Sequence, residues 1–231
     1  MNDRGLPSKC KNCKHISNCF LNSIEGELGT LDTHTTQVNY LRRQTLCKEG
    51  EFSSSIKFLI SGYAMVLTEG PNKKNIIIKI LKPGDFLGVS AVCGEVTYAF
   101  SAIALTDTLV CSIERESVLE LMENNWKFAL KLTKWYCTNY RLLLERIRTV
   151  GFKNLHGRLA DAILYLNSME FKEENLYKYL TRKDIADMAC MPMESAVRLL
   201  SEFSESKLIK ITGKEIEILN VDMLNQISQN G

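Results

Sequence analysis

Short apolar runs broken by turn residues fill the first half of the chain, and wider helical spacings take over in the second half. Lys57-Phe58-Leu59-Ile60, Ala64-Met65-Val66-Leu67 and Ile76-Ile77-Ile78-Lys79-Ile80 read as strands, as do Tyr98 to Leu105 and Thr108 to Ile113. Gly50, Gly62, Gly70, Gly84 and Gly88 punctuate them, with turn signals at Glu69-Gly70-Pro71-Asn72 and Lys82-Pro83-Gly84-Asp85. Many short strands at this spacing predict a β-barrel or jelly roll over residues 23–113. Residues 114–150 contain no glycine or proline, and Ala129, Leu132, Tyr136, Tyr140, Leu143, Ile147 and Val150 recur at steps of three and four. That is a narrow seam of the coiled-coil kind. A helix of that length spans roughly 55 Å, more than a small barrel can cover, so a partner helix is the economical expectation. Packing against its own domain is the alternative. Gly151 reads as a C′ glycine and hinge. Residues 152–231 alternate short helical patterns with one hairpin. The expected class is α+β: a jelly-roll sensor barrel of the cyclic-nucleotide-binding kind, a long dimerisation helix, and a winged helix-turn-helix.

The most specific stretch runs from Thr181 to Phe203. Thr181 is a good N-cap, with Asp184 in the first turn. Ile185 and Met188 are expected inside, and the small Ala186 lets a second helix cross closely. Cys190-Met191 form the turn, and Pro192 suits the start of the next helix. Ala196, Leu199, Leu200 and Phe203 give that helix an apolar face, which leaves Met193, Glu194, Ser195, Val197 and Arg198 facing out. Glu194 and Arg198 are four apart and project together. An acid accepts from cytosine N4, and an arginine forks onto guanine O6 and N7, so the pair can read one G·C base pair. An ordinary surface ion pair is the plainer reading of the same spacing. Leu208 to Ile218 alternates around Thr212-Gly213-Lys214, a hairpin that serves as the wing. Lys210 and Lys214 can touch phosphate, and Thr181 and Arg182 are grouped with Lys214 as DNA contacts.

Bulk charge adds little. The formal net charge is +2, and residues 152–231 hold ten lysines and arginines against twelve acids. A DNA-binding reading therefore rests on local pattern. No apolar run approaches a membrane span, and Met1 to Lys14 lacks the apolar stretch of a secretory signal. A cytoplasmic protein with no membrane partner is expected. In a reducing compartment the eight cysteines read as core thiols, metal ligands or reactive groups rather than disulfides. Cys10-x2-Cys13-x5-Cys19 places three thiols within ten residues, and a cubane needs a fourth, for which Cys47 and Cys111 are candidates. Cys93, Cys137 and Cys190 read as structural; His15, His34 and His156 read as exposed or satisfied. No catalytic constellation or phosphate-cradling glycine loop appears, so an enzyme is not expected. The minor alternative is a thiol or iron–sulfur redox enzyme built on Cys10 and Cys13, but those residues lie in a basic arm (1–22) rather than a thioredoxin-like unit.

The order barrel, long helix (114–150), helix-turn-helix and wing (152–231) resembles the CRP/FNR family of transcription regulators over nearly the whole chain. Lys48-Glu-Gly-Glu51, Phe58-Leu-Ile-Ser-Gly62 and Leu81-Lys-Pro-Gly-Asp-Phe-Leu-Gly88 resemble the family's barrel turns, and Met193-Glu-Ser-Ala-Val-Arg198 resembles its recognition helix. The resemblance implies a homodimer on double-stranded DNA, a near-palindromic site, and RNA polymerase as a partner. Members that read a TTGAT-like half-site usually carry serine before the arginine, where this chain has Val197. Cys190 replaces the usual turn glycine. Cyclic-nucleotide binders hold phosphate with a Gly-Glu turn and an arginine pair. Here Gly84 to Gly88 and Tyr98 to Ser101 supply no arginine, so cAMP is not expected. The arm spacing and Cys111 resemble oxygen-sensing members, which implies a [4Fe–4S] cluster on Cys10, Cys13, Cys19 and Cys111. Zinc on the same thiols, or no metal with an unknown small ligand in the barrel, are the alternatives.

Overall fold

A computed structural model describes residues 15, 19, 35–71, 74–168, 171 and 174–231. The chain divides into two compact units, one of residues up to 68 with 79–139, the other of 69–78 with 140–231. The strands of the first region are β1 (Thr35–Tyr40), β2 (Thr45–Cys47), β3 (Ser55–Ser61), β4 (Ala64–Glu69), β5 (Asn75–Leu81), β6 (Phe86–Leu87), β7 (Ser101–Ala104) and β8 (Thr108–Glu114). They form two four-stranded sheets, ordered β1-β8-β3-β6 and β2-β7-β4-β5. The five strands expected from apolar runs are all present. β1, β2 and β6 were not expected. β1 reads TTQVNY and lies at a sheet edge paired only with β8, where polar residues suffice. β6 is two residues long, too short to show a period.

Side chains alternate across β8, so Leu109, Cys111 and Ile113 share one face. With Ile56, Phe58 and Ile60 of β3 they build a core that two helices cover. These are α1 (Arg115–Asn124) and α2 (Trp126–Phe152). The single helix expected over 114–150 is thus corrected: Glu114 ends β8, and the helix is broken at Asn125, whose backbone is extended (φ −134°, ψ 93°). The Asn125 side chain accepts from Phe128 N at 3.0 Å and restarts the helix as a cap. Gly151 is also corrected. It lies inside α2 without a positive φ, and the helix ends one residue later. The break instead falls at Lys153 and Asn154, where Asn154 accepts from Gly157 N at 3.1 Å and caps the next helix, α3 (Leu155–Leu166).

The apolar seam divides along α2. Leu132 is buried with Phe128 in the core of the first unit, and Trp135 packs beside them. Burying each such side chain is worth roughly 1.5–3 kcal/mol. Packing within the domain is therefore the outcome for the first turns. Tyr136, Tyr140, Leu143 and Ile147 remain exposed. Cys93 and Cys137, expected as structural, are exposed instead. Nothing in an isolated cysteine's sequence context reports which way a helix or turn will point it.

The second unit contains α3, a 3-10 turn at Leu176–Lys178, α4 (Arg182–Met188), α5 (Met193–Glu205), the hairpin β9 (Ile209–Thr212) and β10 (Glu215–Ile218), and α6 (Val221–Asn230). Leu159, Ile163, Ile185, Met188, Leu199, Leu200, Phe203 and Leu224 are its buried centre. Gly157 lets α3 approach the chain end closely, since a Cβ there would stand 3.1 Å from Gly231 Cα. Asp161 ties α3 to α2: its carboxylate accepts from Thr149 Oγ1 and Lys153 Nζ, both at 2.8 Å.

Candidate nucleic-acid interface

Thr181 caps α4 as expected. Its Oγ1 accepts from Asp184 N at 3.1 Å, and the Asp184 carboxylate returns to Thr181 N at 2.7 Å, closing a capping box. The helix ends after Met188, and the chain turns through Ala189 and Cys190. Cys190 adopts φ +52°, the left-handed region that glycine occupies most cheaply. Burial raises its thiol pKa, opposed by the nearby Arg146 and Arg158. Replacing Cys190 with glycine is expected to stabilise the fold by about 0.5 kcal/mol, the left-handed strain relieved outweighing the added chain entropy. A lower melting temperature in that variant would mean that the thiol's packing outweighs the backbone term.

Pro192 sets the start of α5 as its N-cap residue, extended at φ −60°, ψ 145°. The helix then divides as the sequence implied. Ala196, Leu199, Leu200 and Phe203 are buried; Met193, Glu194, Val197 and Arg198 are exposed, and Ser195 is half-buried. The outward group lies in the first two turns, the part of a recognition helix that reaches base edges. The helical ion pair differs from the one its spacing suggested. Arg198 pairs with Glu202 at 3.7 Å, not with Glu194. Glu202 also meets His156 Nε2 of α3 at 3.0 Å, which gives that histidine its partner. Arg198 remains two-thirds exposed, so the contact is a weak surface pair that a guanine edge can displace.

The expected wing hairpin forms, with Thr212 opposite Glu215 and Gly213 at φ +63° in its turn. Lys210 and Lys214 are exposed. Arg182 plays a part the sequence did not indicate: its Nη2 donates to Gly213 O at 2.9 Å, which ties the start of α4 to the wing turn. Of the residues expected to meet DNA, Thr181, Glu194, Val197, Arg198 and Lys214 are exposed, and Arg182 and Ser195 are half-buried.

The cysteine site is only partly visible. Cys111 is buried in β8, and Cys19 packs against the same apolar core. Cys10 and Cys13, like His34, lie outside the described residues. Cys47 sits in the other sheet with its thiol 3.9 Å from Phe100 O, and burial pushes its pKa up to about 11. Among the described residues no three histidine, cysteine or acidic side chains stand close enough together to hold a metal. In the turn expected to hold a cyclic nucleotide's phosphate in other proteins, the Asp85 carboxylate is already engaged. It accepts from Trp135 Nε1 at 3.1 Å and from Lys82 N at 3.0 Å, and lies 3.8 Å from Lys79.

Two family models match the chain, a cyclic nucleotide-binding domain over residues 37–125 and a Crp-like helix-turn-helix domain over 157–227. The transcriptional activatory protein AadR of Rhodopseudomonas palustris is 25% identical over 222 residues, covering 91% of this chain and 92% of its own. The fumarate and nitrate reduction regulatory protein of Vibrio cholerae is 27% identical over 223 residues, covering 94% and 88%. The fold matches FixK2 from Bradyrhizobium japonicum with a TM-score of 0.73 at 19% identity, covering 84% of this chain and 96% of that one. A double-sheet domain followed by a winged helix-turn-helix with an exposed, polar-tipped second helix defines a DNA-binding transcription regulator. With both of its domains matched, the chain has the make-up of a transcription regulator of CRP/FNR type. Among the described residues no helix is long and apolar enough to cross a membrane.

Proposed function

We propose that this regulator binds a near-palindromic DNA site as a homodimer, reads a G·C pair in each half-site with Glu194 and Arg198, and responds to oxygen through a cluster on its N-terminal cysteines. The observation that carries the DNA reading is the row Glu194, Val197 and Arg198, exposed on a helix whose opposite face is fully buried. Burial holds the helix, so its outward side chains are presented without cost to the fold. Two copies related by a two-fold axis would place these helices in successive major grooves, about one helical turn apart. The exposed Tyr136, Tyr140, Leu143 and Ile147 supply the pairing seam.

The cysteine reading is supported by the position of Cys111 and Cys19. Both pack into one apolar core, and soft thiolates in a shielded setting suit an iron–sulfur cluster. With Cys10 and Cys13 as the remaining ligands, a bound [4Fe–4S] cluster supplies an oxygen-labile centre. The chain's own residues then do the rest: the β8 face orients Cys111, and Phe58, Ile113 and Leu121 keep water from it. A cyclic nucleotide is not the effector proposed, because Asp85 is already bonded within the domain and residues 98–101 carry no arginine.

The test is a binding selection from random duplexes with the wild-type chain, followed by Arg198→Ala on the selected sequence. The variant is expected to lose about 1–3 kcal/mol of affinity and to tolerate any base at one position per half-site. Equal weakening on selected and random DNA would make Arg198 a phosphate contact and sink the assignment.

A further inference from the structure

Two guanidinium groups converge on the turn between α4 and α5, and the DNA-reading surface described so far does not use either of them. Arg146 projects from the second half of α2. Its Nη2 donates to Ile77 O of β5 at 3.0 Å and to Met188 O at the end of α4, and lies 3.7 Å from Cys190 Sγ. Arg158 projects from the first turn of α3. Its Nη2 donates to Val150 O at 2.6 Å, its Nε to Lys153 O at 2.8 Å, and its Nη1 to Cys190 O at 3.4 Å. All of these residues belong to the second compact unit.

The acceptors are the groups that secondary structure leaves unsatisfied. Met188 O and Val150 O belong to the last turns of their helices, where carbonyls have no intrahelical donor. A cation there also meets the negative end of the helix dipole. Arg158 thus closes the end of α2 and holds the turn at Cys190. Arg146 holds the end of α4 and joins it to β5. Between them sits the one residue of the turn whose backbone is left-handed, Cys190. A charged group serving two or three main-chain acceptors is worth more than a neutral bond, and its planar fork fixes direction as well as distance.

We infer that Arg146 and Arg158 are positioning residues for DNA recognition: they lock the α4–α5 turn to α2 and β5, so that the recognition helix is carried as one body with the dimer helix. Neither side chain touches DNA in this reading. Arg146 is the more telling of the two, because its Nη2 alone stands between two carbonyls, and lysine in its place keeps the charge but ends in an ammonium on a shorter stem that does not reproduce that position. The inference rests on the DNA-binding reading for its consequence, and on hydrogen exchange for its structure.

Arg146→Ala and Arg146→Lys in the full-length chain test it, with the duplex selected by the wild-type protein and a random duplex as probes. Arg146→Ala is expected to weaken the selected duplex about tenfold or more, with little change on random DNA. The dependence of log affinity on log salt should keep its wild-type slope, since no phosphate contact is removed. Amide exchange should speed up at residues 186–191, where Cys190 N and Met191 N donate to Asp187 O and Ala186 O. Arg146→Lys should fall between wild type and alanine in both readouts. If alanine does not fold, the lysine variant alone decides, because it must show faster exchange at the turn. Wild-type exchange at 186–191 in the lysine variant, or in a folded alanine variant, overturns the inference. So does a salt slope shallower by about one with equal losses on both duplexes, which would make Arg146 a phosphate ligand. Failure of the wild-type chain to select any sequence would count against the DNA reading, and exchange at the turn would still decide the role of Arg146.

Discussion

Ile147→Glu is expected to leave the protein folded but monomeric, and to abolish tight binding to a two-half-site duplex. Ile147 is 58% exposed in the single chain, so a glutamate there costs the isolated fold little. In a dimer paired along Tyr136, Tyr140, Leu143 and Ile147, the two copies of residue 147 approach each other across the seam. Two carboxylates would then be buried without partners, at a cost of several kcal/mol. The mass in solution should fall from twice 26.2 kDa to that of one chain. Each monomer retains its reading helix, but it loses the advantage of holding two half-sites at once, which is worth roughly 10²–10⁴ in affinity. Affinity for a single half-site should stay near the wild-type value. A variant that remains dimeric would place the interface elsewhere on the molecule.

Cys111→Ser has the second large expected effect. Purified without air, the wild-type chain should carry about four irons and four sulfides, and the serine variant should carry almost none. Serine keeps the size of the side chain but is a far poorer ligand for iron, and the surrounding core of Ile56, Phe58 and Ile113 offers no replacement. Cys47→Ser serves as the control. Cys47 belongs to the other sheet, and its thiol is held protonated by burial, so iron content should be unchanged. DNA binding by the wild type should weaken on exposure to air, and the Cys111→Ser variant should show no such change. Full iron in Cys111→Ser would remove Cys111 from the ligand set. Zinc in the wild type instead of iron would replace the oxygen reading with a structural one, and colourless protein after anaerobic reconstitution would end it. The helix-turn-helix assignment stands independently of all three results.

The elements that carry function were legible to different degrees, for identifiable reasons. α4 and α5 could be read almost residue by residue. A capping threonine, a small residue at the crossing and an apolar face at steps of three and four are all local signals, and Thr181, Ala186 and Leu199 occupy the places they implied. The wing was legible because Gly213 marks a tight turn between alternating strands. The long helix expected over 114–150 differs chiefly in an internal break at Asn125, and it runs on to Phe152. Asn125 interrupts it through a side-chain cap and Asn154 caps the helix that follows, whereas Gly151, the more conspicuous breaker, is carried within the helix. Helix propensity is a weak prior, and a side chain that caps an orphan N–H marks a helix start more surely than a single glycine marks an end.

What the sequence determined by itself was the order of the domains, the identity of the reading helix and the row of side chains it turns outward, because each follows from a short-range period or cap. Tertiary structure alone decided the rest. It buried Leu132 while leaving Ile147 exposed on the same seam, and gave Arg198 to Glu202 rather than Glu194. It brought Cys19 against the same apolar core that includes Cys111, and set Arg146 and Arg158 around a turn more than thirty residues further on. Those pairings join segments far apart in the chain, and no local pattern specifies which distant carbonyl or thiol a folded backbone will bring within reach.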